Sequence, residues 1–182
     1  MHIPHLRLTA AVAAVVLALD QATKLAVIDW LAPGTGWPAP DAGIGRYLRI
    51  VHVHNTGVAF GMFQGRNTLF AVLATAVVTG LVAYTARLPG DGRALRVAVG
   101  LVAGGAVGNL IDRLRLGHVT DFVDVRVEPW FHWPAFNVAD SAVVVGVILM
   151  MWQLWRLEQA ERAAHAPPAE PAEPAAPPVE AA

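Results

Sequence analysis

The chain has 182 residues, 55% of them hydrophobic and 15% charged, with a formal net charge of −1 at pH 7. That length fits one domain, the apolar content points to a membrane protein, and so little net charge gives nucleic acid no basic surface, so no nucleic-acid partner is expected. Cysteine is absent, which excludes disulfides, zinc–thiolate sites, thiol catalysis and a lipidated cysteine on this chain.

Four apolar runs, at about residues 8–28, 68–86, 94–114 and 138–157, dominate the sequence. A bilayer core of ~30 Å is crossed by ~20 helical residues. A chain in lipid must satisfy its backbone internally, so the runs are read as helices. The expected fold is an all-α membrane protein. It is a four-transmembrane-helix bundle with a larger extracytoplasmic first loop, which leaves room for a short β segment.

The first run carries Asp20 and Lys24 near its late end, spaced i,i+4 as in an interfacial ion pair. Arg7 ahead of an apolar stretch also fits a cleaved signal peptide, but the apolar pattern continues through Trp30 and lacks a small-x-small cleavage site. In the first loop, residues 31–45 hold four glycines and three prolines around Trp37, a composition suited to a movable lid. His52 and His54 alternate on one face of a short strand, and His54-Asn55-Thr56-Gly57 closes the loop as a polar cluster. Two histidines without a third ligand make a poor metal site, so no metal is expected.

The second run is uncharged, and Arg87, Arg93 and Arg96 crowd the short connection to the third. Gly100, Gly104, Gly105 and Gly108 in the third run allow a neighbouring helix to approach closely. That run ends in Asn109, Asp112 and Arg113; a turn at Leu116-Gly117-His118 follows, then Asp121 and Asp124, with Asp124 read as a solvated loop acid. Trp130, Phe131, Trp133 and Phe136 mark an interface before the fourth run, whose early end carries Asn137 and Asp140. Residues 160–182 are nearly all Ala, Pro and Glu, a composition expected to stay disordered outside a membrane domain of residues 1–159.

Four antiparallel spans bring Asp20, Lys24, Asn55, Gly57, Asn109, Asp112, Arg113, Asn137 and Asp140 to one membrane face. The arginines of the short connection place that face outside and both termini in the cytoplasm. Asp140 lies about a turn inside the boundary, where an ionisable group is costly and a functional candidate. The turn at Gly117 aims Asp121 back at the bundle mouth opposite Asp140. Two carboxylates in one low-dielectric site share a proton, the logic of an aspartic protease. A transporter would use Asp20, Lys24, Asp112 and Asp140 as an ion relay. A metal-dependent phosphotransferase would use Asp112, Asp121 and Asp124.

Five blocks stand in order along the chain: Asp20-Gln21-x-x-Lys24; Asn55-Thr56-Gly57-Val58-Ala59-Phe60; Gly104 through Arg113 as GGAVGNLIDR; Gly117 through Asp124 as GHVTDFVD; and Phe136-Asn137-Val138-Ala139-Asp140-Ser141. Over roughly residues 8–157 the chain so resembles the lipoprotein signal peptidase (signal peptidase II) family. The resemblance implies a bacterial inner-membrane aspartyl endopeptidase with Asp121 and Asp140 as its catalytic pair. Asp20, Lys24, Asn55, Gly57, Asn109, Asp112, Arg113 and Asn137 would bind substrate or support the site. It further implies cleavage of prolipoproteins before a diacylglyceryl-modified cysteine by a water that the dyad activates. No cofactor or metal, contact with membrane lipids, inhibition by globomycin and a monomeric state complete the expectation.

Overall fold

The computed structural model describes residues 4–41, 43–57, 67–85, 92–127 and 130–165. Helix α1 spans Pro4–Trp30; beyond its first residue it contains neither Gly nor Pro, and it ends three residues before Pro33. α2 spans Asn67–Thr85, α3 spans Arg93–Leu116 and α4 spans Val138–Ala164. Three of them, α1, α3 and α4, are long and apolar enough to cross a membrane; the apolar part of α2 is the shorter Thr68–Tyr84. α4 passes the composition change at residue 160 and runs to Ala164; residues 166–182, like Val58-Ala59-Phe60 and Arg87, lie outside the described residues.

α3 is the central helix, packed against the other three. Its small residues set how closely they approach. A Cβ on Gly105 would come within 2.3 Å of the Ala139 carbonyl oxygen, and one on Gly108 within 2.5 Å of Asp20 Oδ2. Glycine at these positions thus lets the polar ends of α1 and α4 reach α3.

The expectation of an all-α chain is corrected by a four-stranded antiparallel sheet. Its strands are β1 (Gly36–Trp37), β2 (Leu48–Asn55), β3 (Val119–Val127) and β4 (Phe131–Phe136), in the order β1-β2-β3-β4. β3 follows α3 directly, because Gly117 takes the left-handed conformation (φ 78°) and its N–H donates to the Arg113 carbonyl at 3.2 Å. β2 pairs with β3 with Asn55 opposite Val119 and Val53 opposite Asp121, across an irregularity between Ile50 and Val53. β4 has its own irregularity, where Pro134, which has no N–H to give the ladder, lies in the sequence between paired Trp133 and Phe136.

Residues 31–45, expected as a lid, are partly tied to this sheet. The Gly34 N–H donates to the His52 carbonyl at 2.8 Å, the His52 N–H to the Thr35 carbonyl at 3.0 Å, and β1 pairs with β2.

Candidate active site

The late ends of α1 and α3, the first residues of α4 and strands β2 and β3 meet at one end of the bundle. Asp121, on β3, is buried. Its Oδ1 accepts from Asn137 Nδ2 at 2.7 Å and its Oδ2 from Asn55 Nδ2 at 2.9 Å. Asn55 and Asp121 are diagonal cross-strand neighbours on one face of the β2–β3 ladder, which places them within reach. Asp140 is the third residue of α4. Its Oδ1 accepts from Asn109 Nδ2 at 2.7 Å and its Oδ2 from the Asn137 backbone N–H at 3.2 Å.

Each of the three asparagines is held in one amide orientation by a donor at its oxygen. Asn55 Oδ1 accepts from the Gly57 N–H at 3.0 Å. Asn137 Oδ1 accepts from the Asp140 N–H at 2.9 Å, which completes a capping box at the start of α4. Asn109 Oδ1 accepts from Lys24 Nζ at 2.9 Å and from Asn137 Nδ2 at 3.2 Å. Every amide therefore turns its NH2 group toward a carboxylate, and Asn137 touches both. The sequence shows the asparagines; it does not show that their oxygens are already taken.

Lys24 does not form the interfacial pair its spacing implied. It is 2% exposed, and its ammonium lies 2.9 Å from both Asp20 Oδ2 and Asp112 Oδ2. The reason is the closeness of α1 and α3, which carries the charge inside the bundle, where a lone ammonium would be prohibitive and a pair of carboxylates compensates it. Asp20 Oδ1 accepts from the Ala139 N–H at 2.9 Å, satisfying an orphan donor of the first turn of α4. Asp112 Oδ2 accepts from the Thr120 N–H at 3.2 Å, tying α3 to β3. Gln21, inside the Asp20–Lys24 block, joins this cluster. Its Nε2 lies 3.1 Å from Asp112 Oδ1, 3.2 Å from Asp20 Oδ2 and 3.3 Å from the Gly108 carbonyl. Its place one residue after Asp20 was the available signal.

Arg113 is not a simple helix-end partner of Asp112. One guanidinium nitrogen donates to the Gly57 carbonyl at 3.3 Å and the other to the Asn109 carbonyl at 3.4 Å, with the group 5.7 Å from the centre of the Phe70 ring. It thus ties the end of the first loop to α3 beside α2.

Burial pushes the Asp121 carboxyl up to about 7, with the negative charge of Asp140 adding to it against the Asn55 and Asn137 hydrogen bonds. Both carboxyls line a cavity of about 380 Å³. Its other walls include Asn55, Gly57, Asn109 and Arg113 at the polar end, and Ala74, Ala106, Val143, Val144 and the Trp133–Phe136 segment of β4 on the apolar side. Small side chains from α2, α3 and α4 leave room for a chain beside the carboxylates.

Three expectations lie away from this cavity. Asp124 is buried in β3 rather than solvated in a loop, paired with Arg126 and 3.0 Å from His132 Nε2. Strand alternation turns it away from Asp121. His52 Nδ1 is 2.8 Å from the Leu31 carbonyl, and the His54 ring stacks on His118 with centroids 3.8 Å apart. Among the described residues no group of three or more His, Cys, Asp or Glu is placed to hold a metal.

The sequence profile described as Signal peptidase (SPase) II matches residues 12–156. A lipoprotein signal peptidase of Moorella thermoacetica is 41% identical over 141 residues, covering 78% of this chain and 88% of that one. A bacterial membrane enzyme solved by the in meso method at 2.3 Å resolution superposes with a TM-score of 0.73 at 28% identity, covering 89% of this chain and 93% of its own. A second such structure, at 1.9 Å, gives a TM-score of 0.69 at 31% identity, covering 80% and 91%.

Proposed function

The chain belongs to the signal peptidase II family and is a membrane-embedded protease, and from that premise we propose that it is an aspartyl endopeptidase acting on prolipoproteins. The observation that carries the reading is the pair of carboxyls, Asp121 and Asp140, joined through Asn137 and opening on one cavity.

Asp121 is the member that holds a proton near neutral pH, and Asp140 is the base. A water between them gives its proton to Asp140 and attacks the scissile carbonyl, while the Asp121 O–H donates to the developing oxyanion. The proton on Asp140 then passes to the leaving amine. Fixed NH2 groups from Asn55, Asn109 and Asn137 hold both carboxyls in place without reorganisation during the reaction. The chemistry asks nothing of a metal.

The bond cut is the one before a diacylglyceryl-modified cysteine. A signal helix enters along the apolar wall of Ala74, Ala106, Val143 and Val144, and the diacyl chains remain in lipid beside it. All four helices span the membrane; 17 apolar residues in α2 would rise about 26 Å, within reach of a bilayer that thins locally. The site faces outward from the bacterial inner membrane, with both termini in the cytoplasm. The enzyme works as a monomer, and globomycin occupies the same cavity.

The test is incubation of the purified enzyme with a prolipoprotein carrying the diacylglyceryl group and with the same protein lacking it. Cleavage before the cysteine of the lipidated form alone is expected. Equal cleavage of both, or of neither, would overturn the assignment.

A further inference from the structure

On the reading of Asp121 and Asp140 as the catalytic pair, on which this inference rests, we propose that Gln21 is a positioning residue for both. Its amide clamps Asp20 to Asp112, two acids that each grip the chain one residue ahead of a catalytic carboxyl.

Two backbone contacts link these acids to the pair. Asp20 Oδ1 accepts from the Ala139 N–H at 2.9 Å, next to Asp140, and Asp112 Oδ2 accepts from the Thr120 N–H at 3.2 Å, next to Asp121. The spacing of the catalytic carboxyls is therefore set in part by how Asp20 and Asp112 sit relative to one another. Lys24 joins the two through Oδ2 of each, and the third of its three donors goes to Asn109. Asp112 thus meets both Lys24 and Thr120 through one oxygen, and those contacts leave it free to swing about that oxygen. Gln21 removes this freedom, because its Nε2 lies 3.1 Å from Asp112 Oδ1 and 3.2 Å from Asp20 Oδ2.

The amide can face the cluster in one sense only. Its Nε2 also lies 3.3 Å from the Gly108 carbonyl, so all three neighbours are acceptors and a turned amide would set its oxygen against them. The close approach of α1 to α3 at Gly108, where a Cβ would come within 2.5 Å of Asp20 Oδ2, brings Gln21 within reach of both acids. None of Asp20, Gln21, Lys24 and Asp112 lies on the described walls of the catalytic cavity. Gln21 therefore acts on the placing of the carboxyls and not on substrate binding, and its signature is a fall in kcat at unchanged KM.

The test is cleavage of a lipidated prolipoprotein by the full chain in detergent, with kcat, KM, Tm and folded fraction measured for wild type, Gln21→Leu and Gln21→Glu between about pH 5 and 8. Gln21→Leu keeps the bulk and loses the donor. Its kcat per folded molecule is expected to fall by about tenfold to a hundredfold at every pH, with KM within about twofold of wild type. Gln21→Glu keeps the shape and donates only when protonated. Its carboxyl would face Asp20 and Asp112, with Lys24 as the positive charge among them, so its kcat relative to wild type is expected to climb as pH falls. A role in folding alone would lower Tm or the folded fraction and leave kcat per folded molecule unchanged, and that result overturns the proposal. So does a loss confined to KM, or a ratio for Gln21→Glu that does not change with pH. If Gln21→Leu does not fold, the pH dependence of Gln21→Glu decides by itself. A wild type that cleaves no lipidated substrate would sink the catalytic reading and this inference with it, whereas full turnover by Gln21→Leu beside an active wild type would sink this inference alone.

Discussion

Asp121→Asn is expected to make the protein more stable at alkaline pH while leaving it no more stable in acid. Burial and the charge of Asp140 lift the Asp121 carboxyl from 3.8 to about 7. A group raised in the folded state contributes stability that is fully present below its unfolded value and is lost as pH rises through the folded one. A rise of about three units corresponds to roughly 4 kcal/mol, and water entering the open cavity brings this to about 2–4 kcal/mol. Asparagine does not titrate and so escapes that loss. It keeps an oxygen for Asn137, and its NH2 meets the Asn55 NH2, whose oxygen the Gly57 N–H holds. The protonated carboxyl can turn its O–H into the cavity and still accept from Asn55, so the donor–donor contact belongs to the variant alone and offsets its stability by an amount that does not change with pH. The informative quantity is then the change with pH. Thermal unfolding in detergent is expected to give a variant no higher in Tm at about pH 3, and a Tm difference that moves in the variant's favour by several degrees between there and about pH 9, at about 2–4 °C per kcal/mol. A Tm difference that stays constant across that range would refute the placement of a strained, buried carboxyl at Asp121.

Lys24→Met removes the only ammonium between Asp20 and Asp112 and is expected to cost about 3–5 kcal/mol, seen as a large fall in Tm; a fall under about 1 kcal/mol would show that the pair is solvated. Asn55→Ala is expected to lower turnover by about tenfold or more with little change in Tm, because its amide holds Asp121 from a loop-end strand; turnover at the normal rate would remove this amide from the site. Cleavage is expected to persist in EDTA, since the proposed chemistry uses carboxyls alone, and loss restored by added zinc or magnesium would favour a metal mechanism.

The helices were legible because each needs only a local apolar run, and the convergence of Asp20, Asn109, Asp112, Asn137 and Asp140 followed from antiparallel packing. One strand was legible, at Ile50–His54 within β2, but the sheet that it joins was not. Its pairings join residues as distant as Leu48 and Val125, and irregularities in β2 and β4 break the period-two pattern that would have announced it. Lys24 was misread because an i,i+4 pair looks the same on a surface as in a core; only the close approach of α1 to α3 at Gly108 decides between them. Asp124 was misread for the same reason: its partners Arg49 and His132 come from other strands. Two of the three asparagine amides are oriented by near neighbours, Asn55 by the Gly57 N–H and Asn137 by the Asp140 N–H, but Asn109 takes its donors from Lys24 on α1 and from Asn137, contacts that the sequence around it does not show.

The pairing of Asp121 with Asp140 is tested most directly by the mass shift of a lipidated prolipoprotein incubated with Asp121→Asn and, separately, with Asp140→Asn. Both variants keep an oxygen for the Asn137 contact and are expected to remain folded, with cleavage lost in each by several orders of magnitude. Substantial cleavage by either folded variant would contradict the shared-proton dyad.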